Sequence, residues 1–345
     1  MKIVCDDQIP YIQPALQTLA DIVVVKPGRD ICAADVADAD ILVVRTRTHC
    51  DYRLLQGSIV RLVVTATIGY DHLDTHWMEN HGIAWANCPG CNATSVAQYV
   101  LCCLLAMEQE RNFHLRDATV GIVGVGHVGN AVLHALQTAG VRHILLNDPP
   151  RKDAGEAAPD DYEWSPLDRL QAEADVITLH TPLTQKGIYA TAGLCDETFF
   201  KGLRRMPVFI NAARGGIVDE LALSTALDRS QVREAIIDTW EREPAIRRSL
   251  LYKAFIATPH IAGYSADGKA NATRMVLERI CRFLGKPMEF DIHPPALPSD
   301  LRLSDKFEER ALQLYDPRRD SQQLKNRPET FEQLRENYPL RREKA

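Results

Sequence analysis

Three stretches in the second half of the chain carry charged side chains suited to moving a proton beside a carboxylate. "INAARGG" holds Arg214, "DTWEREP" holds Asp238 and Glu243, and "TPHIAGYS" holds His260. Each follows a short apolar run that reads as a strand: "VFINAA", "EAIIDTW" and "AFIATPH". An open α/β sheet binds its ligands outside the C-terminal ends of its strands, so three such ends can converge on one crevice. Oxidising an alcohol next to a carboxylate needs a base for the hydroxyl proton, a cation for the carboxylate and a group that orients the base. Histidine, arginine and glutamate supply these, and histidine is the side chain whose ordinary pKa lies near neutrality. Taken singly, each has a plainer role: a core histidine, a surface ion pair, a helix-capping acid. Their occurrence at successive strand ends is what points to a site.

Upstream, "GIVGVGHVGN" contains Gly124-x-Gly126-x-x-Gly129 between the apolar run "TVGIV" and the helix-like "NAVLHALQTAG". Asp148 ends the next strand-like run, nineteen residues beyond Gly129. This is the dinucleotide fingerprint in its required context. Gly124 permits the tight turn, Gly126 lets a pyrophosphate approach the backbone, and Gly129 lets helix and strand pack. The helix N-terminus, at His127 and Val128, attracts the phosphates. Asp148 is placed to accept from the ribose hydroxyls and to repel a 2′-phosphate, which favours NAD over NADP.

The elements that must position these groups form an α/β pattern. Apolar runs alternate with helix-compatible segments through the first ninety residues ("KIVC", "DIVVV", "DILVVR", "LVVTATIG"), and again after Ala118 ("DVITLH", "VFINAA", "EAIIDTW"). This predicts two doubly wound parallel-sheet domains, the second a Rossmann NAD-binding unit. Between them, "TSVAQYVLCCLLAMEQERNFHL" reads as one long helix. The proline-rich "DIHPPALPSD" reads as a linker, and the tail beyond it carries tyrosine, phenylalanine and leucine at helical spacing, as if to pack onto something.

Composition sets further bounds. With 345 residues, 46% of them hydrophobic and 25% charged, the chain is expected to be an ordinary two-domain globular protein. A net charge of −6 argues against a general nucleic-acid binder. "MKIVCDDQIP" lacks the apolar core of a secretion signal and no apolar run approaches a membrane span, so a cytoplasmic protein is expected. The nine scattered cysteines fit a reducing compartment. "CPGC", Cys88 to Cys91, has no thioredoxin-like surroundings and no second pair for zinc, so its cysteines read as structural. His72, His76 and His81 of "DHLDTHWMENH" read as exposed helix histidines, not metal ligands.

Taken together and in order, "GIVGVGHVG", "HTPLT", "INAARGGIVDE", "DTWEREP" and "TPHIAGYS" resemble the D-2-hydroxyacid dehydrogenase family over nearly the whole chain to about Gly285. "VVRTRT", "TATIGYDHLD" and "CPGCNATSVAQYV" are similar to members that act on a phosphorylated four-carbon hydroxy acid. The resemblance implies a flavodoxin-like substrate domain, residues 1–95 and 258–290, interrupted by the Rossmann domain, 96–257. A linker and small C-terminal dimerisation region follow at 291–345, making a homodimer. It places Arg214, Glu243 and His260 on the catalytic arginine, glutamate and proton-transferring histidine. Asp148, Thr181, Ala212, Ala213, Arg214, Asp238 and Gly263 fall on NAD contacts. Thr46, Thr67 and Tyr264 fall on substrate contacts, and of the two arginines of "VVRTRT", Arg45 and Arg47, either could meet a substrate phosphate, with Arg45 taken first. Family members acting on phosphoglycerate or glyoxylate, and an NAD-sensing binding protein on the same fold, share most of these features.

Overall fold

The apolar runs form two parallel sheets, each built from its own part of the chain. The computed structural model describes residues 1–343. It divides into one unit of Met1–Asn92 with Ser265–Ala296, and a second of Ala93–Tyr264 with the chain from Leu297 onward.

In the first unit β1 (Lys2–Asp6), β2 (Ile22–Lys26), β3 (Ile41–Val44), β4 (Leu62–Thr65) and β5 (Ala84–Ala86) align in the order β2-β1-β3-β4-β5. All pairs are parallel, and every residue of β3 and β4 is buried, as expected of strands covered on both faces. Helix Ala266–Leu284 lays Val276, Leu277 and Ile280 on the sheet and ends at Gly285, whose φ of +63° is the left-handed stop that glycine adopts without strain. Because β3 ends at Val44, Arg45, Thr46 and Arg47 lie in the turn beyond it, where strand alternation no longer dictates which way each points.

His72 departs from its expected exposure. The helix here is only Thr75–Asn80, and His72 precedes it, buried, with Nε2 3.0 Å from Thr65 Oγ1. Burial drives its pKa down to about 4, so the ring is neutral near pH 7. His76 and His81 are exposed.

In the second unit β6 (Thr119–Val123), β7 (His143–Asn147), β8 (Val176–Leu179), β9 (Val208–Asn211), β10 (Glu234–Ile237) and β11 (Ile256–Ala257) align as β11-β10-β9-β8-β6-β7. The strand order reverses between β6 and β8, and that switch point opens the crevice where such sheets take a nucleotide. The long helix Ala93–Glu110 is apolar on nearly all sides and buries thirteen residues, Cys102 and Cys103 among them. Burial pushes the Cys102 thiol up to about 12 and raises Cys88 as well, so these thiols pack as small apolar groups.

The domain limits differ from those expected at 257/258 and 290/291. The chain stays with the second unit through Tyr264, because the turn after β11 is hydrogen-bonded to the end of β10. The C-terminal helices also pack within that unit and do not stand apart. Leu312 and Tyr315 join the core around Ala93–Glu110, while Leu324 and Phe331 join the core on the other side of the sheet. Ser321, on helix Pro317–Asn326, accepts the Ala257 N–H at 3.0 Å and so satisfies the open edge of β11. Among the described residues no helix is long and apolar enough to cross a membrane.

Candidate active site

The catalytic candidates of the second unit sit on turns held by side chains of the strands they follow. At the end of β9, the Asn211 amide donates to the Arg214 carbonyl at 3.1 Å and to the Thr239 carbonyl at 3.4 Å, joining two strand ends. Gly215 makes that junction possible, since a Cβ there would lie 1.9 Å from the Trp240 carbonyl oxygen. Arg214 is half-buried, with Nη1 donating to the Ala213 carbonyl at 2.8 Å.

Asp238 is 1% exposed, and both its oxygens accept from the chain itself. Thr258 Oγ1 and the Ile261 N–H donate to Oδ1 at 2.7 and 2.8 Å, and the Ala262 N–H donates to Oδ2 at 3.0 Å. Tyr99 lies 2.8 Å from Thr258 Oγ1, so its hydroxyl donates into a buried Tyr99–Thr258–Asp238 chain. Burial pushes the Asp238 carboxyl up, with the His260 charge and these donors opposing that rise. In this structure Asp238 serves first to shape the turn that presents His260.

His260 sits at φ +57°, a left-handed conformation uncommon for a residue with a side chain and concentrated at functional sites. Its Nδ1 is 2.8 Å from Glu243 Oε2 and 3.0 Å from Oε1. Burial raises the Glu243 carboxyl, but the bond to His260, the His260 charge, the Trp240 N–H and Arg335 outweigh it and hold the pKa below the usual glutamate value. An ionised Glu243 can only accept, so Nδ1 carries the hydrogen and neutral His260 keeps its lone pair on Nε2. That is the tautomer a general base needs.

Two arginines that residue type and spacing had not singled out complete this region. Arg341 is 7% exposed and donates to the carbonyls of Ile261 (3.1 Å), Tyr264 (2.8 Å), Ala262 (2.6 Å) and Ser95 (3.1 Å). It also donates to Gln98 Oε1 at 2.9 Å and lies 4.0 Å over the Tyr315 ring. Arg335 reaches Glu243 from helix Phe331–Glu336. Tyr338 within "NYPLRRE" and Tyr315 upstream were the available signal, since buried arginines stack on aromatic rings. Which turn they would meet was not written locally.

The nucleotide crevice fits its expected cofactor. Gly124 has φ +84°, and a Cβ there would lie 2.8 Å from the Thr181 backbone; a Cβ on Gly129 would lie 2.1 Å from the Gly124 carbonyl oxygen. Nothing lies within 4 Å of the Cβ position of Gly126, which leaves room for a phosphate. Helix His127–Thr138 begins at Gly126 without a side-chain cap, so the first-turn N–H groups, near His127 and Val128, are not occupied by one. Thr181 Oγ1 is buried without a partner among the described residues. Asp148 Oδ2 accepts the Val125 N–H at 2.8 Å, tying the ends of β7 and β6 together. Arg151, beside it, is committed to the Val125 carbonyl (2.6 Å) and to Glu156 (2.7 Å). Arg214, Asp238, Glu243, His260, Gly263 and Tyr264 are thus gathered on three neighbouring turns of this unit.

The substrate-side candidates of the first unit sit at the ends of β3 and β4. Arg45 Nη1 donates to the Gln8 carbonyl at 3.3 Å, and its Nε is buried without a partner among the described residues. Thr46 is exposed in the same turn. Thr67 donates to the Gly69 carbonyl at 2.7 Å and lies 2.7 Å from Thr65 Oγ1. With Thr67 committed as a donor, Thr65 donates to Thr67 and His72 Nε2–H to Thr65, so the buried neutral histidine orients the Thr67 hydroxyl.

Residues 102–262 match the family model described as D-isomer specific 2-hydroxyacid dehydrogenase, NAD binding domain. Residues 292–345 match a domain of unknown function, DUF3410. Among curated proteins, the chain is 48% identical to the erythronate-4-phosphate dehydrogenase of Bacteroides thetaiotaomicron, covering 99% of this chain and 97% of that one. It is 43% identical to that of Porphyromonas gingivalis, covering 99% and 94%. Among solved structures, D-lactate dehydrogenase from Aquifex aeolicus, complexed with NAD and lactic acid, superposes with a TM-score of 0.63 at 21% identity, covering 82% of this chain and 95% of that one. A protein from Thermus thermophilus does so with a TM-score of 0.68 at 23% identity, covering 84% and 99%. At such identities these two speak for the fold alone, whereas the curated relatives extend along the entire chain. Full-length similarity at this level, on a sheet order and a His–Glu couple suited to 2-hydroxyacid oxidation, places the chain in the erythronate-4-phosphate dehydrogenase family of the D-2-hydroxyacid dehydrogenases.

Proposed function

We propose that the chain is the NAD-dependent enzyme that oxidises 4-phospho-D-erythronate at C2 to 2-oxo-3-hydroxy-4-phosphobutanoate, a step of pyridoxal phosphate biosynthesis. The 2.8 Å contact between His260 Nδ1 and Glu243 is the observation that carries the chemistry, because it leaves Nε2 as a base. The relatives' shared name carries the choice of substrate. Bound NAD supplies the acceptor for the hydrogen and electron pair that leave C2. His260 Nε2 takes the C2 hydroxyl proton, and Glu243 holds the ring in its Nδ1–H tautomer and stabilises the imidazolium. Arg214 pairs with the substrate carboxylate in the forked geometry that lysine cannot supply. Arg45, Thr46, Thr67 and Tyr264 receive the rest of the substrate, with Arg45 on its phosphate.

The test is a panel of phosphorylated and unphosphorylated 2-hydroxy acids assayed with NAD. The parent enzyme should favour the phosphorylated four-carbon acid. Arg45→Ala should lower kcat/KM for it by about 10- to 100-fold, the size of a lost charge-assisted bond, and change the unphosphorylated analogue only a few-fold. Equal losses on both would mean that Arg45 supports the Gln8 turn and does not hold phosphate. We also read the protein as a cytoplasmic homodimer joined through its C-terminal region. Sedimentation at the mass of a single 38.6 kDa chain would reject the dimer.

A further inference from the structure

The segment matching a domain of unknown function carries a cation to the proton-transferring couple. Arg335 Nη1 lies 3.4 Å from Glu243 Oε2, the same oxygen that meets His260 Nδ1 at 2.8 Å. The two side chains are 21% and 18% exposed, so solvent screens their attraction far less than it does for a surface pair. The helix bearing Arg335 is anchored by Phe331, 1% exposed in the core of the same unit, with Leu334 packed against that core. The Tyr264 phenol also interacts with this guanidinium, and its ring meets Tyr338 edge-on at a centroid distance of 6.2 Å. Arg335 is therefore held against two residues of the site by packing at its base and bonding at its tip.

We propose that Arg335 is a positioning residue for the His260–Glu243 couple, through which the C-terminal segment sets how strongly Glu243 holds the imidazolium. The inference rests on the reading of His260 as the base.

A base must be neutral before it acts and charged afterwards, and Glu243 favours the charged form. Other carboxyls in this region act in the same direction: Asp238 on His260 directly, and Glu220 and Glu241 around the Glu243 turn. Each of these negative charges favours the protonated form of the couple over the neutral one. Arg335 opposes it by drawing on one Glu243 oxygen, and Arg247, 3.6 Å from Glu220, opposes it farther out. The arginine also fixes the rotamer from which Glu243 meets the ring. The base is thus tuned from the C-terminal segment, which packs within the same unit but lies beyond the family-matched stretch 102–262.

The signs follow from charge. Removing Arg335 strengthens proton binding by the couple, so the rise of oxidation rate with pH should move upward by about 0.5 to 1 unit in Arg335→Gln. At neutral pH kcat falls about three- to tenfold and recovers at higher pH, which a merely structural lesion would not do. Arg335→Lys, which keeps the charge, should restore most of the profile. In NAD-free protein, carbon NMR of the Glu243 carboxyl should show its titration moving upward in Arg335→Gln, independently of turnover. Arg335→Met, of similar length, repeats the measurement if the glutamine variant is poorly folded. A pH profile and a Glu243 titration both unmoved in the uncharged variants overturn the inference, as does a loss that lysine fails to rescue. Should Glu243→Gln move the profile while Arg335→Gln does not, this inference alone fails. Should neither move it, the His260 reading fails with it.

Discussion

Replacing His260 with asparagine is expected to lower kcat by about 10²- to 10⁴-fold while leaving NAD affinity within a few-fold of the parent. Asparagine can still donate to Glu243 but has no group that accepts a proton near neutral pH. The crevice at Gly124, Gly126, Thr181 and Asp148 is built from the ends of other strands, so cofactor binding, followed by fluorescence titration of NADH, should survive. Near-parent turnover would remove His260 from the mechanism. The companion variant, Glu243→Gln, should move the rise of oxidation rate to lower pH, because an ionised carboxylate that favours imidazolium becomes neutral. The sign is opposite to that expected on neutralising Arg335, so the two variants bracket the parent profile. A depressed Glu243 pKa also means that the couple supports folding at neutral pH and loses this contribution as pH falls through the folded Glu243 value.

The second large effect should come from Arg341, which is far from the sequence motifs. Truncating it to methionine would leave the buried carbonyls of Ile261, Ala262, Tyr264 and Ser95 without their donor and would remove a guanidinium stacked 4.0 Å over Tyr315. Buried acceptors left unsatisfied cost about 1–3 kcal/mol each, so with partial relaxation the total is about 3–5 kcal/mol. The corresponding fall in Tm is about 10 °C for a unit of this size. Arg341→Lys should recover little, since a single ammonium cannot serve carbonyls on both sides of a planar fork. Because the freed turn follows His260 directly, kcat should fall as well in whatever fraction remains folded. A Tm within 2 °C of the parent would show that the 261–264 turn is held by Asp238 alone.

What could be recovered from the sequence was local in its physics. A glycine needed for a left-handed turn or a close helix–strand approach declares itself by spacing, as at Gly124 and Gly129. An acid nineteen residues beyond Gly129 marks the end of the next strand, where Asp148 accepts the Val125 N–H. Apolar runs of four or five residues announced buried parallel strands, and Arg214, Glu243 and His260 stood out because each follows such a run. Individual environments were less legible. His72 read as an exposed helix residue because its burial depends on where the Thr75–Asn80 helix begins and on the Thr65 hydroxyl of another strand. Where β3 ends was not legible either, since "VVRTRT" stays β-compatible past Val44, where pairing stops.

By itself, then, the sequence determined the two doubly wound sheets, the nucleotide turn and the identity of the three catalytic candidates, all of which follow from period, turn chemistry and strand ends. Only the tertiary structure decided what holds those candidates in place. Glu243 is met by Arg335 from ninety-two residues away, and the carbonyl of Ile261 by Arg341 from eighty residues away. No local pattern encodes such partners. A buried arginine needs acceptors and a buried carbonyl needs a donor, but which pair satisfies each other depends on the path of the C-terminal helices. That path is set by where Leu312, Tyr315, Leu324 and Phe331 find apolar cover, which is a property of the assembled unit.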